Sequence, residues 1–579
     1  MNNKGVAIHY GDVAPEAKEN FQPSASEKEY FVDLSQLQKY NINFPNYANP
    51  CELYQTVLDG TAEAFPSNPE RENMGLWSEQ LSNYDGTFST PIVLELQSDG
   101  QYSSQGLTLT FDTYNNIFAK RLRIKWSRIT EEGETILSEK EYNPNSAFYF
   151  CRNFVQNYNK IIITFYSINM PKNRLKLRVI DYGYGTIFYG RELRSASLIQ
   201  GVDPISSQIS INVGDFVIDS KADDMEYSFQ SRQPISIYFN GELKETTFVR
   251  SSKRKAKFLW SVESESYIGL MDSIPYNGGM FKNEKATNVL EDIFGVAKVP
   301  YIVDDVFENE TVTGYIPFTN CRGALMQVCF AIQAAVDTSN SDVVKIVQLE
   351  NDVKQTIPLN RIMQGQNFKD DETVTSVEVA VHSYDPISET IDVYNASESG
   401  TGENIFVKFS EPLHDLTIEN GEIVSRETNY AIINANDGCI LKGQKYQHTK
   451  QIKRKNNPVV LASEIEKVVA IENATLVSAN NIDKIIEKCY NWIVRVNSVN
   501  LDIVEGKHIQ DGEKIKYGEA KYGKIKYGDS KKIVLYDERV NVGDVVSAET
   551  EYLGVVTGRI IEQKFSLIGG TIIKKAVLK

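Results

Sequence analysis

Histidine and cysteine are the residue types in this sequence best suited to metal binding or nucleophilic catalysis. The five histidines include no pair at the four-residue spacing of a helical zinc site, and the six cysteines include no C-x-x-C pair. The scattered cysteines predict buried thiols in a protein made in a reducing cytoplasm, in preference to three disulfide bridges. The residues are His9, His382, His414, His448 and His508, with Cys51, Cys151, Cys321, Cys329, Cys439 and Cys489.

Other catalytic patterns are also missing from the sequence. It contains no G-x-x-x-x-G-K-[ST] phosphate loop and no G-x-S-x-G elbow, and glycines 183, 185 and 190 do not match G-x-G-x-x-G. His414 beside Asp415 could form a base with its orienting acid, although such neighbours are common in loops, and Cys329 lies in an apolar helical stripe. Nothing selects a carboxylate pair for glycoside cleavage among 77 acidic residues. We predict a protein that is not an enzyme and holds no cofactor or metal.

Three aromatic residues in the first β-rich region could form a platform for sugar stacking, or could equally be core residues. Trp126 alternates in phase with Leu122 and Ile124, so we expect it to point inward. Trp77 precedes a polar loop and is the better candidate for a surface role. Trp77 and Tyr102 are therefore the predicted contacts to a glycan or a partner.

Two basic stretches allow two interpretations. Clustered cations favour contact with a polyanion or an acidic partner subunit, because they raise association rates. The alternative is a solvated hairpin tip and a solvated loop, which we favour because the chain as a whole is acidic. The stretches comprise Arg250, Lys253, Arg254, Lys255 and Lys257, and then Lys442, Lys445, Lys450, Lys453, Arg454 and Lys455.

Length and composition limit the class of protein. A chain of 579 residues predicts several folded units. Its 41% hydrophobic and 24% charged residues exclude collagen, disulfide miniproteins and wholesale disorder. The net charge of −16 argues against a dedicated nucleic-acid-binding role. The amino terminus has no apolar core of signal-peptide length and no run of 18 apolar residues occurs, so we expect neither that export route nor a membrane span.

Alternating patterns predict mostly strands. Residues 1–60 are weakly patterned and indicate an arm, whereas strands at 90–97, 106–112, 121–129, 160–167 and 174–182 predict an antiparallel β-sandwich. A hairpin is expected at 235–249 around Asn240-Gly241, with helices at 286–294, closed by Gly295, and at 323–335. Further strands, a helix at 479–493, a Lys/Tyr repeat at 514–518 and 524–528, and a last hairpin around Gly569-Gly570 follow. The helix at 479–493 is expected to carry one apolar face, formed by Ile482, Ile485, Ile486, Cys489, Tyr490 and Ile493.

Several motifs between residues 237 and 339, together with the segment 564–576, occur in an order that resembles the baseplate hub, or tail-tip, proteins of tailed bacteriophages and prophages of Gram-positive hosts. The resemblance covers about residues 186–579, and residues 65–185 are similar to galactose-binding-like (discoidin-type) sandwiches. The motifs are Ile237-Tyr238-Phe239-Asn240-Gly241, Tyr267-Ile268-Gly269-Leu270-Met271-Asp272, Asn277-Gly278-Gly279-Met280-Phe281, Gly314-Tyr315-Ile316-Pro317, Arg322-Gly323-Ala324-Leu325, Phe330-Ala331-Ile332 and Val336-Asp337-Thr338-Ser339.

The resemblance implies a mainly β fold with α+β insertions, in which a β-sandwich is followed by hub-type β-barrel domains and a small α+β domain. The implied divisions are an arm at 1–64, the sandwich at 65–185, a first barrel at 186–275, the α+β domain at 276–372 and a second barrel with an α/β insertion at 373–579. The sandwich departs from the family pattern because it precedes the first barrel. No wall-degrading appendage is evident, which puts a wall-degrading role in doubt.

The resemblance also implies a function, that of a homotrimeric ring in the virion that caps the tail tube and carries host-recognition parts. Its implied partners are the tail tube or distal tail protein, the tape measure protein and other baseplate or receptor-binding proteins, with transient passage of DNA. Assembly would take place in the bacterial host cytoplasm. The rival hypothesis is a carbohydrate-binding or glycoside-cleaving cell-surface protein, motivated by the aromatic residues of the sandwich.

Overall fold

The computed structural model describes residues 6–13, 15–27, 32–38, 47–48, 52, 63–64, 75–113, 115–190, 192–219, 233–239, 242–362, 366–370, 372–459, 466–495, 497–504, 507–511, 531–535, 541–568 and 571–579. Within these residues strands greatly outnumber helices, which confirms the predicted mainly β fold with small helical insertions. No helix among them is both long and apolar enough to cross a membrane.

The first part of the chain is almost entirely β-structure. Helix α1 is Pro15–Asn20, and a 3-10 helix is formed by Leu34–Gln38. The strands are β1 (Val6–Val13), β2 (Gln22–Ala25), β3 (Val32–Asp33), β4 (Tyr47–Ala48), β5 (Glu63–Ala64), β6 (Gly75–Trp77), β7 (Thr87–Thr110), β8 (Ala119–Thr130), β9 (Gly133–Tyr142), β10 (Phe148–Ile168), β11 (Lys176–Leu177), β12 (Val179–Asp181), β13 (Gly183–Tyr189), β14 (Leu193–Gly201), β15 (Val213–Asp219) and β16 (Pro234–Phe239).

The rest of the chain adds the longer helices. They are α2 (Tyr267–Asp272), α3 (Ala286–Ala297), α4 (Cys321–Ile332), α5 (Ala396–Ser399) and α6 (Ile482–Ile493), with 3-10 helices at Asp305–Phe307 and Leu359–Arg361. The strands are β17 (Glu242–Ala256), β18 (Leu259–Ser266), β19 (Pro275–Tyr276), β20 (Gly279–Lys285), β21 (Tyr301–Val303), β22 (Thr311–Ile316), β23 (Thr319–Asn320), β24 (Ala335–Asp337), β25 (Val344–Val347), β26 (Val353–Ile357), β27 (Asn367–Asp370), β28 (Ser376–Asn395), β29 (Gly402–Lys408), β30 (Leu413–Arg426), β31 (Tyr430–Asn456), β32 (Val468–Ile471), β33 (Asn497–Val504), β34 (Lys507–Asp511), β35 (Lys531–Leu535), β36 (Val545–Thr550), β37 (Gly554–Ile568) and β38 (Thr571–Leu578).

The chain divides into two compact units. Unit 1 comprises Met1–Leu193 with Ser220–Leu243, and unit 2 comprises Arg194–Asp219 with Lys244–Lys579. In unit 1 the strands β12-β7-β10-β8-β9 form one sheet, β2 joins it along β7, and β11-β6-β3 form a second sheet. Inward residues such as Leu122, Ile124 and Trp126 are fully buried in the core of this unit. The inward position predicted for Trp126 is confirmed.

Unit 2 contains a sheet that joins early and late parts of the chain. Its strand order is β18-β15-β14-β37-β38-β33-β27, and β36 pairs with β37. The final hairpin β37-β38 lies against β14, with Leu198 opposite Phe565. The pairing partner of β14 therefore comes from the carboxyl end, and the sheet joins strands that lie far apart in the sequence.

Helices α3 and α4 pack together beside the small sheet β21-β25-β24. Helix α4 begins two residues before the predicted start because the Asn320 side chain accepts a hydrogen bond from the Gly323 amide, and it ends where Gln333 adopts a left-handed conformation. Helix α3 continues past Gly295, the predicted stop, because Lys298 supplies the left-handed cap. A glycine inside a helix is tolerated, so its presence alone was an unreliable stop signal.

A third core lies between helix α6 and the sheet β29-β31-β28-β32. The predicted apolar face of α6 is confirmed, since Ile482, Ile485, Ile486 and Cys489 are buried. The turn Asn240-Gly241, the repeat at 514–528 and the turn Gly569-Gly570 lie outside the described residues.

Candidate functional site

The aromatic residues expected on the sandwich surface occupy different environments. Trp77 is fully buried, and the Lys176 ammonium group lies 4.6 Å from the centre of its ring. Its strand β6 pairs with β11, which places Trp77 directly opposite Lys176. This position offers no ring face to a sugar, in contrast to the surface position suggested by the neighbouring polar loop. The sequence pattern failed here because the strand that pairs with β6, and brings Lys176 to the Trp77 ring, comes from a distant part of the chain.

Tyr102 is half-buried and keeps a polar contact near the surface. Its hydroxyl accepts a hydrogen bond from the Asn20 side chain at 2.7 Å, and its ring lies 5.5 Å from that of Phe21. Phe21 is its only ring neighbour within the described part of the chain, so the structure does not bring Tyr102 and Trp77 together. The role of Tyr102 in contacting a glycan or a partner stays a prediction.

The interior of unit 1 holds a cluster of charged residues that the sequence did not reveal. Lys176 contacts Glu52 at 2.8 Å and Asp112 at 3.7 Å, and Arg178 lies 4.0 Å from Asp112. All four side chains are at most 2% exposed. Desolvation alone would raise the pKa of Asp112, but Arg178 and Lys176 hold it below its ordinary value. This cluster has the composition of a structural ion network rather than of a reactive pair.

Two histidines far apart in sequence form a hydrogen bond on the sheet next to α6. His382 Nδ1 lies 2.9 Å from His448 Nε2, and His382 Nε2 lies 3.1 Å from the Glu472 carbonyl oxygen. The Tyr384 ring stacks on the His448 ring, with 4.6 Å between the ring centres. The carbonyl can only accept, so His382 carries its proton on Nε2 and accepts from His448 through Nδ1. Sequence spacing could not predict this contact, because His382 and His448 lie far apart in the sequence and come together only through the antiparallel pairing of β28 with β31.

The predicted His414 and Asp415 contact does form, but in an exposed position. His414 Nδ1 lies 2.9 Å from an Asp415 oxygen, and the Asp415 side chain is 74% exposed. The second ring nitrogen of His414 contacts the Lys445 carbonyl oxygen at 3.1 Å. With both ring nitrogens occupied, the imidazole has no nitrogen left to activate a nucleophile.

The five described cysteines are buried and form no disulfide, which agrees with the predicted buried thiols. Cys51 lies outside the described residues. Burial raises the pKa of the Cys489 thiol to about 12 and that of Cys321 to about 11. These thiols are therefore protonated at neutral pH and poor nucleophiles.

The two basic stretches differ in their neighbours. Every cation of the second stretch contacts a carboxylate, which supports the interpretation as a solvated, internally neutralised face. The pairs are Lys442 with Glu419, Lys445 with Glu389 and Glu411, Lys450 with Glu472, Lys453 with Asp483, Arg454 with Glu378 and Glu466, and Lys455 with Glu487. In the first stretch the Arg254 guanidinium lies 5.4 Å from the Trp260 ring, and Lys257 lies 5.1 Å from that of Phe258.

An exposed apolar hairpin tip lies at the turn between β36 and β37. Tyr552 is 77% exposed, Leu553 60% and Val555 64%. Two hydrogen bonds connect the base of this tip to neighbouring segments. The Leu359 amide donates to the Glu549 carboxylate at 3.1 Å, and the Glu551 amide donates to the Gln366 side chain at 3.3 Å. Clustered apolar residues on a well-anchored surface turn are typical of protein contact sites.

Comparison with known proteins found no matching family model and no matching curated protein. Among solved structures, a tail protein from Neisseria meningitidis MC58 is 9% identical, with 67% of this chain and 93% of that chain covered and a TM-score of 0.41. The 43 kDa tail protein of prophage MuSo2 from Shewanella oneidensis is 9% identical, with 68% and 94% covered and a TM-score of 0.39. A prophage tail protein from Listeria monocytogenes EGD-e is 11% identical, with 69% and 91% covered and a TM-score of 0.35. No functional assignment rests on similarities at this level.

Proposed function

We propose that this protein is a non-enzymatic structural hub of a phage tail or phage-derived contractile particle. In this role it forms a homotrimeric ring that caps the tail tube and carries the baseplate and host-recognition parts. The observation that carries the proposal is the exposed apolar hairpin tip of Tyr552, Leu553 and Val555. Exposure of such an apolar tip to water is unfavourable, and burial against a neighbouring subunit lowers the free energy.

Three of the hub-like motifs support the proposal because they occupy positions on which the fold of unit 2 depends. Gly278 has a φ of +71°, and a Cβ atom there would lie 2.1 Å from the Ile316 carbonyl oxygen. Arg322 donates to the Ile209 carbonyl oxygen at 2.6 Å. Thr338 accepts a hydrogen bond from Asn212 at 2.9 Å. The resemblance thus concerns residues that shape the unit rather than surface residues that vary freely.

The finer assignments follow from the proposed role. The partners are the tail tube or distal tail protein, the tape measure protein and other baseplate proteins, and the protein is located in the virion. An acidic chain suits a channel through which DNA passes, because like charges do not retain it. The segment at 65–185 would dock neighbouring proteins or touch a glycan through the surface around Tyr102. The burial of Trp77 and Trp126 removes two of the three rings that motivated a carbohydrate-binding alternative.

Native mass spectrometry tests the proposal. We expect the 65.4 kDa chain to form trimers, either by itself or in the presence of the tube protein. Leu553→Asp should shift the population toward the monomer, because a buried, unpaired carboxylate opposes association. Val424→Asp, which places the same charge at another half-exposed position, is the matched control. A chain that stays monomeric with tube protein present would contradict the hub assignment.

A further inference from the structure

Unit 2 contains a cleft of about 1350 Å³ between the exposed face of α6 and strand β37. Lys484, Lys488 and Arg495 line it from α6 and its carboxyl end, and Arg559 lines it from β37. Lys484 and Lys488 are four residues apart, which places them on one face of α6, and Arg495 follows just after the helix ends. The cleft is therefore rich in cations although the chain carries a net charge of −16.

Arg559 is a buried cation without a charged partner among the described residues. It is only 5% exposed. Its guanidinium donates to the carbonyl oxygens of Gly543 and Glu350 and to the Asn351 side chain, with the last two at 2.9 and 2.8 Å. All three acceptors are neutral, so the positive charge is hydrogen-bonded but not neutralised. Buried charges in proteins are normally paired, and this one faces a cavity in place of a counterion.

Lys488 repeats this arrangement on the opposite wall. Its ammonium group donates to the Gln333 carbonyl oxygen, again a neutral acceptor, and it forms no ion pair within the described part of the chain. Burial lowers the pKa of Lys488 to about 8, with Arg559 contributing repulsion and Asp203 attraction. An anion bound between the two cations would relieve this repulsion and complete the hydrogen bonding of the ammonium group.

The carboxylates around the cleft are mostly occupied by other partners. Glu487, which also lines the cleft, forms an ion pair with Lys455. Asp203 accepts from the Ser207 hydroxyl at 2.7 Å and the Gln208 amide at 2.8 Å. Asp544, which attracts Arg559, lies 3.4 Å from Lys354. Glu310 is the other acid that lines the cleft. The local balance therefore favours an incoming negative charge.

The remaining lining points to a polypeptide ligand. Gln348, Asn480 and Asn497 contribute amide side chains, each with a donor and an acceptor that match the groups of a peptide backbone. Trp492 adds an apolar surface. The volume exceeds the roughly 300–1,000 Å³ usual for small-molecule sites, which favours an extended segment over a single small anion.

We propose that this cleft binds an extended acidic segment of a partner protein, whose carboxylates pair with Lys488 and Arg559. The inference does not depend on the hub role, because it rests on the charges and shape of the cleft alone. The negative net charge of the chain repels acidic peptides elsewhere on its surface, so specific binding is readily separated from general attraction.

Fluorescence anisotropy with a labelled hexaglutamate peptide and the full chain tests this proposal. We expect saturable binding by the native chain, about tenfold weaker binding by Lys488→Met, since one charged contact is worth about that factor, and none with hexaglutamine. The matched control is Lys453→Met, which removes a lysine outside the cleft that already contacts Asp483. Its affinity should stay unchanged. Lys484→Gln, on the exposed side of α6, gives a second variant if Lys488→Met does not fold.

Three results would overturn the proposal. The first is no binding of hexaglutamate by the native chain. The second is equal affinity of the native chain and of a folded cleft variant, whether Lys488→Met or Lys484→Gln. The third is a preference for phosphate groups over carboxylates. It would be seen as tighter binding of a six-nucleotide single strand than of the peptide, or as displacement of the peptide by inorganic phosphate at equal concentration.

Discussion

The buried carboxyl group of Glu245 accepts a hydrogen bond from the Gln200 side chain at 2.7 Å. Asn212 donates to the same Glu245 oxygen at 3.1 Å, and Gln200 in turn accepts from Gln563 at 2.9 Å. Glu245 is 0% exposed and no cation neutralises it among its described contacts. Burial raises the pKa of Glu245 to about 8, so it is protonated at neutral pH. This network joins β14, β17 and β37 inside unit 2.

Glu245 therefore makes the stability of the protein depend on pH. The folded state keeps its proton up to about pH 8, whereas the unfolded state releases it near 4.5. Between these values the folded state binds more protons, so the free energy of unfolding falls as pH rises, by at most about 1.4 kcal/mol per pH unit. Urea denaturation from pH 5 to pH 9 measures this slope.

The variant Glu245→Gln should flatten that slope, because the amide preserves the shape and hydrogen bonding of the protonated acid without titrating. The control Glu398→Gln changes an exposed glutamate and should leave the slope as it is. Parallel stability curves for the native chain and Glu245→Gln would show that Glu245 does not retain its proton.

The His382 and His448 pair predicts the opposite dependence at acidic pH. Burial lowers the pKa of His382 below 6.5, with the nearby His448 and Lys450 acting in the same direction. The unfolded state then binds more protons than the folded state just below pH 6.5, so stability decreases as pH falls. Long-range proton–nitrogen NMR should show a proton on Nε2 of His382 at pH 7 and a midpoint below 6.5. A midpoint above 6.5 would contradict the assigned hydrogen bonds.

The sequence predicted local features of this fold better than distant contacts. The face of α6 followed from helical periodicity, since Ile482, Ile485 and Cys489 recur on one side. Trp126 followed from the alternation of a single strand. The buried position of Trp77 did not, because its strand pairs with β11, about a hundred residues away in the sequence, which brings Lys176 to its ring. The cations of the cleft did not either, since Lys488 and Arg559 lie on separate elements that only folding brings together.

The ion network of unit 1 predicts a large effect of a single substitution. Lys176→Met leaves Glu52 and Asp112 buried without one of their cations, so we expect a loss of about 3–5 kcal/mol in the free energy of unfolding. Adding Glu52→Gln should recover part of this loss, because it removes the carboxylate left unpaired. Lys120→Met, at an exposed position, should change stability by at most about 0.5 kcal/mol. Equal effects of Lys176→Met and Lys120→Met in urea denaturation would contradict the buried pairing.

Two glycines of unit 2 should respond in opposite directions to the same change. Gly314 has a φ of +142°, and a Cβ atom there would lie 2.4 Å from the Thr475 carbonyl oxygen, so Gly314→Ala should destabilise the protein by more than about 1 kcal/mol through strain and displacement. Gly295 lies inside α3, where an added Cβ atom meets nothing within 4 Å. Gly295→Ala should raise stability by about 0.5–1 kcal/mol, because alanine restricts the unfolded chain. Thermal unfolding of both variants measures the two shifts. A stabilising Gly314→Ala would show that β22 can move away from Thr475.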